Sequence, residues 1–231
     1  MRNSRSSRPG NVDAVLDILE GLWGNESDPP RLAHEEPLDG LVLTLLSQNT
    51  NDRNRDRGFL ALKTVFPSWD SVAETPWEAV AEAIRPAGLA NIKSKRMLEI
   101  LAIVMRCFGE HSLKNLKEKT PEEVREFLRE LPGIGAKTVA CVMLFDLGMP
   151  AFPVDTHIAR FCRRMEWVGE SLPPEEIQPL MEEWVPPFRY LGGHVNIIEH
   201  GRGICSARNP GCERCPLRFY CPGGRKKGGT P

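Results

Sequence analysis

A seven-residue turn, Leu-Pro-Gly-Ile-Gly-Ala-Lys at 131–137, joins two helical stretches of different character. Before it, residues 121–130 place apolar side chains at helical spacing behind a Thr120 cap and a proline at the first helical position. After it, residues 138–147 are apolar almost all round, as expected of a helix enclosed by other helices. The sequence therefore predicts a helix, a glycine hairpin and a buried helix within 121–147.

Gly133 and Gly135 stand one residue apart at the predicted start of the second helix. Glycines at such a position allow a tight turn and leave amide N–H groups unpaired, which creates a binding site for an anion such as a phosphate. A tight interhelical turn without a ligand has the same local pattern. Both interpretations stay open for the turn considered alone.

Lys137 follows in the first turn of the second helix, where the helix dipole disfavours a cation by roughly 0.3–1 kcal/mol. A lysine that attacks carbon must be neutral, so its pKa must fall from about 10.4 to about 8. The dipole supplies only part of that change, and partial desolvation in a cleft would have to supply the rest. Lys137 is therefore a candidate nucleophile.

Asp155 lies in the stretch Val-Asp-Thr-His at 154–157, directly before a segment with helical apolar spacing. The usual role of an aspartate at this position is an N-cap. Beside a helix-terminal lysine and a phosphate-binding hairpin, its carboxylate is also a candidate for stabilising positive charge that develops during a reaction.

Helical apolar spacing recurs along the chain, and no segment shows the period-two alternation of a strand. The predicted fold class is therefore all-α. Predicted helices cover 11–22, a stretch from Leu38 to the polar run at 47–52, 53–65, 69–73, 76–84, 92–108, 121–130 and 138–147, and another helix follows Asp155.

Charge is distributed unevenly along the chain, although the formal net charge is only −1. Residues 200–231 carry seven Lys and Arg against one Glu, net +6, which leaves 23 basic against 30 acidic residues elsewhere, net −7. A polyanion would therefore meet a local basic face. No apolar run reaches the roughly 18 residues of a membrane span, and no signal-peptide pattern is present, so we expect a cytoplasmic protein without a membrane partner.

Four cysteines cluster near the end of the sequence with the spacing C-x6-C-x2-C-x5-C: Cys205, Cys212, Cys215 and Cys221. In a chain without an export signal, such clustered thiols indicate a metal site and not disulfides. Zinc and an iron–sulfur cluster both accept four sulfurs, so the spacing alone leaves both open. The other cysteines fall on apolar helix faces and are predicted to be core thiols: Cys107, Cys141 and Cys162.

Two loops carry further candidates. Gln48 and Asn49 end a buried helix, and their simplest role is to cap it. Leu89, considered alone, is interpreted as a loop residue packed on the core. A short run of basic residues follows Leu89 and forms either a phosphate-binding arrangement or, more commonly for such runs, a solvated face: Lys93, Lys95 and Arg96.

In their order and spacing, these motifs resemble the endonuclease III family of the helix-hairpin-helix DNA glycosylases. The matching residues are Leu-Pro-Gly-Ile-Gly-Ala-Lys-Thr at 131–138, Val-Asp-Thr-His at 154–157, Gly-Leu at 88–89, His-Gly-Arg at 200–202 and the four clustered cysteines. The resemblance covers about residues 12–222. It implies a two-lobed fold, with a six-helix lobe at 38–149 that contains the hairpin at 121–147, and a cluster lobe formed by 1–37 and 150–231.

The same resemblance implies an activity. The chain would be a bifunctional DNA glycosylase and AP lyase of base excision repair that removes damaged pyrimidines, above all oxidised ones, and nicks the abasic site by β-elimination. Lys137 would be the nucleophile, Asp155 would assist it electrostatically, and the four clustered cysteines would hold a 4Fe–4S cluster. The partner would be double-stranded DNA with a damaged base or an abasic site, bound by a monomer associated with the nucleoid.

The resemblance also implies which residues contact DNA. The amides of Gly133 and Gly135 would hold a phosphate, Leu89 would wedge the opposite strand, and Arg208 would contact the backbone from a basic loop within the cysteine cluster.

Either Gln48 or Asn49 would fill the gap left by the everted base. The sequence at 47–52 reads Ser-Gln-Asn-Thr-Asn-Asp, whereas the commoner pattern in the family is Ser-Ala-Gln-Ala-Thr-Asp. The choice between the two residues is therefore left open.

Two other functions also fit the motifs. A mismatch glycosylase of the same family would act on thymine or uracil opposite guanine, or on adenine opposite oxidised guanine. A non-catalytic helix-hairpin-helix module that only binds DNA would keep the hairpin and the cysteines but would not need Lys137 together with Asp155.

Overall fold

The structure, a computed structural model, describes residues 7–29 and 34–227, and the side chains of 225–227 lie outside that description. Its helices are α1 (Val12–Trp23), α2 (Pro37–Ser47), α3 (Asp52–Val65), α4 (Trp69–Ala73), α5 (Trp77–Ala83), α6 (Ala90–Phe108), α7 (Pro121–Glu130), α8 (Ala136–Phe145), α9 (Thr156–Arg164), α10 (Pro174–Trp184), α11 (Tyr190–Gly203) and α12 (Pro222–Lys227). Short 3-10 helices connect some of them, and no strand occurs among the described residues. The predicted all-α fold class is confirmed. None of the described helices combines the length and apolar character needed to cross a bilayer.

The chain divides into two compact units. We call Leu32–Met149 the central unit, and Met1–Arg31 together with Pro150–Pro231 the terminal unit. Of the predicted segment 1–37, residues 1–6 and 30–33 lie outside the described residues.

An ionic network joins the two segments of the terminal unit. Arg189 is buried and donates hydrogen bonds to the carboxylates of Glu26 at 2.8 Å and Asp17 at 2.9 Å. Because a nearly buried guanidinium is unfavourable without paired acceptors, the two carboxylates of the N-terminal segment are needed to accommodate it. The first helix of the chain is thereby tied to the segment that follows α10.

Helix α8 forms the core of the central unit, because every side chain from 138 to 144 is buried. Helices α2 and α7 pack against it. From α2, five fully buried side chains contribute to this core: Leu38, Leu41, Val42, Leu45 and Leu46. The apolar character of α8 on all faces therefore corresponds to burial on all faces.

Helix α7, which leads into the hairpin, begins as the sequence predicts. The hydroxyl of Thr120 accepts a hydrogen bond from the amide of Glu123 at 3.3 Å, and the carboxylate of Glu123 accepts one from the amide of Thr120 at 2.8 Å. This reciprocal cap satisfies two backbone donors that the helix leaves unpaired, and Pro121 needs no partner at the first position.

Three helices of the terminal unit, α10, α11 and α12, were not predicted from the sequence. Pro179 lies inside α10, and α11 contains several glycines, so both carry signals that normally end a helix. The structure shows why one glycine is required, since a Cβ at Gly192 would lie only 2.5 Å from the carbonyl oxygen of Asn25. Close backbone packing between α11 and the segment after α1 overrides the low helix propensity of glycine.

A buried carboxylate in the central unit is paired with a histidine. The Nδ1 atom of His34 lies 2.8 Å from Asp146, and a Cβ at Gly40 would lie 2.1 Å from the same carboxylate. The hydrogen bond to Asp146 raises the pKa of His34, and burial raises the pKa of Asp146. Both groups therefore bind protons more tightly in the folded protein than in the unfolded chain.

We predict that His34→Gln destabilises the protein more at about pH 6 than at about pH 9. Because the pKa of His34 is raised by folding, its stabilising contribution is complete below the unfolded-state pKa of about 6.5 and is lost as the pH rises through the folded-state value. Urea unfolding of wild type and variant at both pH values measures the difference in the free energy of unfolding. His111→Gln, which removes a contact with the more exposed Asp70, is the control. If His34→Gln lowers the free energy of unfolding more at about pH 9 than at about pH 6, the prediction is wrong.

Candidate functional site

The turn between α7 and α8 is a compact hairpin. Gly133 adopts a left-handed backbone with φ 75°, and Gly135 is the N-cap of α8 with φ −91°. Ile134 between them is buried, and its amide donates to the carbonyl of Leu131 at 3.2 Å. The isoleucine anchors the turn, while both glycines are exposed to solvent.

The first turn of α8 is suited to bind an anion. The amide of Val139 donates to the carbonyl of Gly135 at 3.0 Å, and the amides before it belong to the first turn, which an α-helix leaves without internal partners. A Cβ at Gly135 would meet no atom within 4 Å, so the approach to these amides is open. Free N–H groups and the positive end of the helix dipole together fit a phosphate.

Lys137 lies in this first turn, and its side chain is exposed. The next residue, Thr138, is already buried. Lys137 is thus the last side chain of α8 that solvent can reach before the helix enters the core, and its amine is accessible to a ligand bound at the hairpin.

Asp155 belongs to the terminal unit, where it caps α9. Its Oδ1 atom accepts hydrogen bonds from the amides of His157 at 2.8 Å and Ile158 at 2.9 Å. The expected cap is therefore present, and the carboxylate is half-buried. A carboxylate that two backbone amides hold in place is suited to a role beside a positive charge.

His157, two residues after Asp155 in the sequence, makes contacts of its own. Its Nδ1 atom lies 3.0 Å from the guanidinium of Arg160, which also donates to the carbonyl of Gly201 at 3.0 Å. His157 therefore takes part in packing α9 against α11.

Gln48 and Asn49 have different environments. The side-chain amide of Gln48 donates to the carbonyl of Gly133 at 3.0 Å, which ties the end of α2 to the hairpin. Asn49 is exposed, and its backbone is left-handed with φ 53°. The structure therefore holds Gln48 against the protein and presents Asn49 to solvent.

Leu89 is not packed on the core, so the interpretation drawn from its position alone is wrong. Its side chain is 51% exposed, and its backbone is left-handed with φ 50°. A left-handed conformation costs a residue with a Cβ about 1–2 kcal/mol, and a leucine that is half exposed offsets little of this cost by burial. Strain of this kind at an exposed apolar side chain is typical of a functional site.

Of the three basic residues that follow Leu89, only Lys95 is exposed; it lies over the ring of Trp77 at 4.2 Å. Lys93 fits neither sequence-based interpretation, because it is only 1% exposed and donates to two backbone carbonyls. Arg96 packs against the hairpin, where a Cβ at Gly133 would lie 2.6 Å from its Cδ atom.

A sequence signal for the burial of Lys93 existed. Lys93 stands at helical spacing from the buried side chains of Met97, Ile100, Leu101 and Val104, on the apolar face of α6. Sequence reasoning placed it with the exposed lysines because of its charge.

The four clustered cysteines line one cavity of about 140 Å³ in the terminal unit: Cys205, Cys212, Cys215 and Cys221. Arg164 donates to the sulfur of Cys205 at 3.1 Å, and the thiol of Cys221 donates to the carbonyl of Arg164 at 3.3 Å. Within the described residues, no three metal-binding side chains converge closely enough for a single metal ion. Four cysteine sulfurs around one cavity are a ligand set that both a structural zinc ion and an iron–sulfur cluster use.

Burial controls the electrostatics around this cavity. Desolvation raises the pKa of Cys215 and Cys221, and the neighbouring cysteines raise it further. His200 is buried beside Cys215, with its Nε2 atom 3.6 Å from the sulfur, and burial lowers the pKa of His200 to about 4. The thiolate forms of Cys215 and Cys221 are therefore unfavourable here unless they bind a cation, which deprotonates thiols on coordination.

The remaining cysteines agree only partly with the prediction of core thiols. Cys141 and Cys162 are buried, and burial raises the pKa of Cys162 to about 12. Cys107 is exposed, so its assignment to the core is wrong. Phe108 takes its place near the end of α6 and packs against Phe127 with ring centroids 5.1 Å apart.

Arg208 lies between the first two clustered cysteines and is exposed. Arg214, by contrast, donates to the carbonyl of Gly203 at 2.8 Å, and Arg218 lies over the ring of Phe219. Arg208 is thus available to contact a polyanion.

The sequence profile of the HhH-GPD superfamily base excision DNA repair proteins matches residues 42–187, more than half of the chain.

Relatives with similar sequences come from bacteria and plants. Endonuclease III of Thermotoga maritima is 32% identical over 195 residues, which cover 84% of this chain and 86% of that protein. A protein of Arabidopsis thaliana that is provisionally named a DNA glycosylase is 36% identical over 172 residues. The match covers 74% of this chain but only 58% of the plant protein, so this chain spans less than two thirds of that relative.

A solved structure described as a non-covalent complex of endonuclease III with DNA has the same fold. Its TM-score is 0.79 at 25% sequence identity, and the match covers 94% of this chain and 96% of that chain.

The two hairpin glycines are predicted to differ in their effect on stability. Gly133→Ala should lower the free energy of unfolding by about 1–2 kcal/mol, because its φ of 75° is unfavourable for alanine and Arg96 must move. Gly135→Ala should cost less, roughly 0.5 kcal/mol, since its backbone is extended and its surroundings are open, and only the poorer N-cap preference of alanine remains. Thermal or urea unfolding of the two variants measures the difference. Equal losses would show that the left-handed turn is not what requires Gly133.

Proposed function

We propose that this chain, which belongs to the HhH-GPD superfamily of base excision DNA repair proteins and within it to the endonuclease III family, is a bifunctional DNA glycosylase and AP lyase. It excises damaged bases from double-stranded DNA, with oxidised pyrimidines as the expected lesions, and nicks the abasic site by β-elimination. The observation that carries the proposal is the exposed Lys137 in the first turn of α8, directly after the glycine hairpin.

DNA binding begins at the hairpin. The free amides of the first turn of α8 hold a backbone phosphate, and the exposed Gly133 and Gly135 allow that phosphate to approach the backbone. Arg208 adds a second backbone contact from the loop within the cysteine cluster. These contacts carry no sequence preference, which suits an enzyme that searches for damage throughout DNA.

The damaged nucleotide is then everted from the duplex at a cost of a few kcal/mol. Asn49 fills the space that the base leaves, because Asn49 is exposed whereas Gln48 is bonded to the hairpin. Leu89 wedges the opposite strand with its exposed apolar side chain. A damaged base stacks poorly, so its eversion costs less than that of a normal base.

The chemistry follows from an amine and a carboxylate. The neutral amine of Lys137 attacks C1′ of the everted nucleotide, and the base leaves with its bonding electrons and a proton. The sugar ring opens to a Schiff base with the lysine, and loss of a C2′ proton expels the 3′ phosphate. Asp155 assists as an ionised carboxylate that stabilises positive charge on the sugar or accepts the proton of the amine.

We further propose that the four clustered cysteines hold a 4Fe–4S cluster. The cavity that their sulfurs share and the guanidinium of Arg164 beside Cys205 support this assignment. Bound as thiolates to such a cluster, the four cysteines would cross-link the segment 205–221 and would thereby support the loop that carries Arg208. The family resemblance also supports a monomer that acts on the nucleoid in the cytoplasm.

Replacing Lys137 tests the nucleophile. Sodium borohydride should trap wild-type protein on a duplex that contains an oxidised pyrimidine, because the Schiff base is reduced to a stable amine. Lys137→Ala should abolish trapping and nicking while affinity for a duplex with an abasic analogue changes only a few-fold. Lys114→Ala, at another exposed lysine of the central unit, is the matched control and should trap like wild type. Trapping that survives in Lys137→Ala would mean that another amine is the nucleophile.

Metal analysis of the purified protein tests the cluster. We expect about four iron and about four sulfide per chain, with the brown colour of an iron–sulfur protein. Cys215→Ser should lose most of this iron, whereas Cys107→Ser, at an exposed thiol outside the cavity, should keep it. A colourless protein with about one zinc per chain would overturn the assignment.

A further inference from the structure

Lys93 makes the most unusual contacts in the central unit. Its amino group is buried and donates to the carbonyl of Leu46 at 2.7 Å and to the carbonyl of Ala87 at 2.8 Å. The first carbonyl lies in the last turn of α2, and the second ends the 3-10 helix Arg85–Ala87. One side chain therefore satisfies acceptors at two different helix ends.

Burial of an amine is unfavourable, and it lowers the pKa of Lys93. The two acceptors explain how the structure tolerates it, because carbonyls at the C-terminal end of a helix lack internal partners and form the negative end of its dipole. Without the amino group, the carbonyls of Leu46 and Ala87 would each lose a hydrogen-bond donor in an apolar environment.

Both carbonyls stand just before the residues proposed to enter DNA. Asn49 follows Leu46 by three residues, and Leu89 follows Ala87 by two. Each of the two has a left-handed backbone, with φ 53° for Asn49 and 50° for Leu89, and each is exposed. A strained conformation persists only where neighbouring contacts impose it, and Lys93 contacts the chain immediately before both positions.

The end of α2 and helix α6 also contact the DNA-binding hairpin. Gln48 donates to the carbonyl of Gly133, and Arg96, on the turn of α6 that follows Lys93, packs against Gly133. The hairpin and both loops are thus connected through side chains from α2 and α6.

We infer that Lys93 is a positioning residue that holds Asn49 and Leu89 at a defined separation, so that both enter the duplex together when the base is everted. This inference rests on the proposed function. Lys93 itself lies in the core and does not contact DNA. Its effect on excision is therefore exerted through the two exposed side chains.

A general structural role predicts a different pattern. If Lys93 only stabilises the fold, its replacement should impair the protein equally whether or not Asn49 and Leu89 are present. If it acts through them, its replacement should matter little once they are removed, because residues that act as a unit are not additive.

The experiment is a double-mutant cycle on the full-length protein. Single-turnover excision of an oxidised pyrimidine and affinity for a duplex with a non-cleavable abasic analogue are measured for wild type, Lys93→Met, Asn49→Ala/Leu89→Ala and the triple variant. Lys93→Met should slow excision about tenfold in the wild-type background and less than about twofold in the background without the two side chains. Lys114→Met, at an exposed lysine of the central unit outside these contacts, should change excision less than about twofold in either background.

An equal cost of Lys93→Met in both backgrounds, or no cost in either, overturns the inference. Circular dichroism checks that each variant is folded. If Lys93→Met does not fold, Lys93→Arg replaces it in the cycle, because the larger guanidinium would shift the carbonyls of Leu46 and Ala87 while still donating hydrogen bonds to them. If excision by the variant without Asn49 and Leu89 is too slow to measure, the effect of Lys93→Met on affinity for the abasic-analogue duplex is compared between the two backgrounds in the same way. Wild-type protein that neither excises a base nor is trapped by borohydride contradicts the proposed function, while the affinities still test Lys93.

Discussion

Helix α8 is buried along seven consecutive residues, 138–144, and this burial determines where it can act. A helix enclosed on all faces can meet a ligand only at an end. Its N-terminal end emerges at the hairpin, where the dipole is positive, the first amides are free and Lys137 is exposed. The packing of the central unit and the position of the proposed nucleophile are therefore consequences of the same hydrophobic segment, since moving α8 would disturb both.

Backbone groups that a helix leaves unpaired at its ends take part in each of the candidate functional features. At the start of α8 they remain free and fit a phosphate, whereas at the start of α9 they are satisfied by the carboxylate of Asp155. At the ends of α2 and of the 3-10 helix before Leu89, the amino group of Lys93 satisfies them from another helix. Each of these three arrangements holds a candidate functional group in place. The groups are the accessible amine of Lys137, the carboxylate of Asp155, and the exposed side chains of Asn49 and Leu89.

The terminal unit poses a different electrostatic problem. Burial raises the pKa of Cys215 and Cys221 and lowers that of His200, so this region disfavours charge of either sign. Arg164 introduces a positive charge directly beside Cys205. A bound metal would deprotonate these thiols on coordination, and the proposed cluster would thereby order the segment that carries Arg208.

Local sequence was sufficient for the features that depend on residues a few positions apart. The cap formed by Thr120 and Glu123, the glycine hairpin and the apolar helix after it could all be predicted, because their hydrogen bonds and periodicity lie within single elements. Features that depend on distant partners could not. Helix α11 forms despite its glycines because Gly192 packs against the backbone near Asn25, and Lys93 is buried because it donates to a carbonyl 47 residues away. The sequence by itself thus determined the all-helical class, most of the helices and the candidate chemical groups. Only the tertiary structure decided the helices α10 to α12 and which side chains are exposed, because both depend on what packs against each residue from elsewhere in the chain.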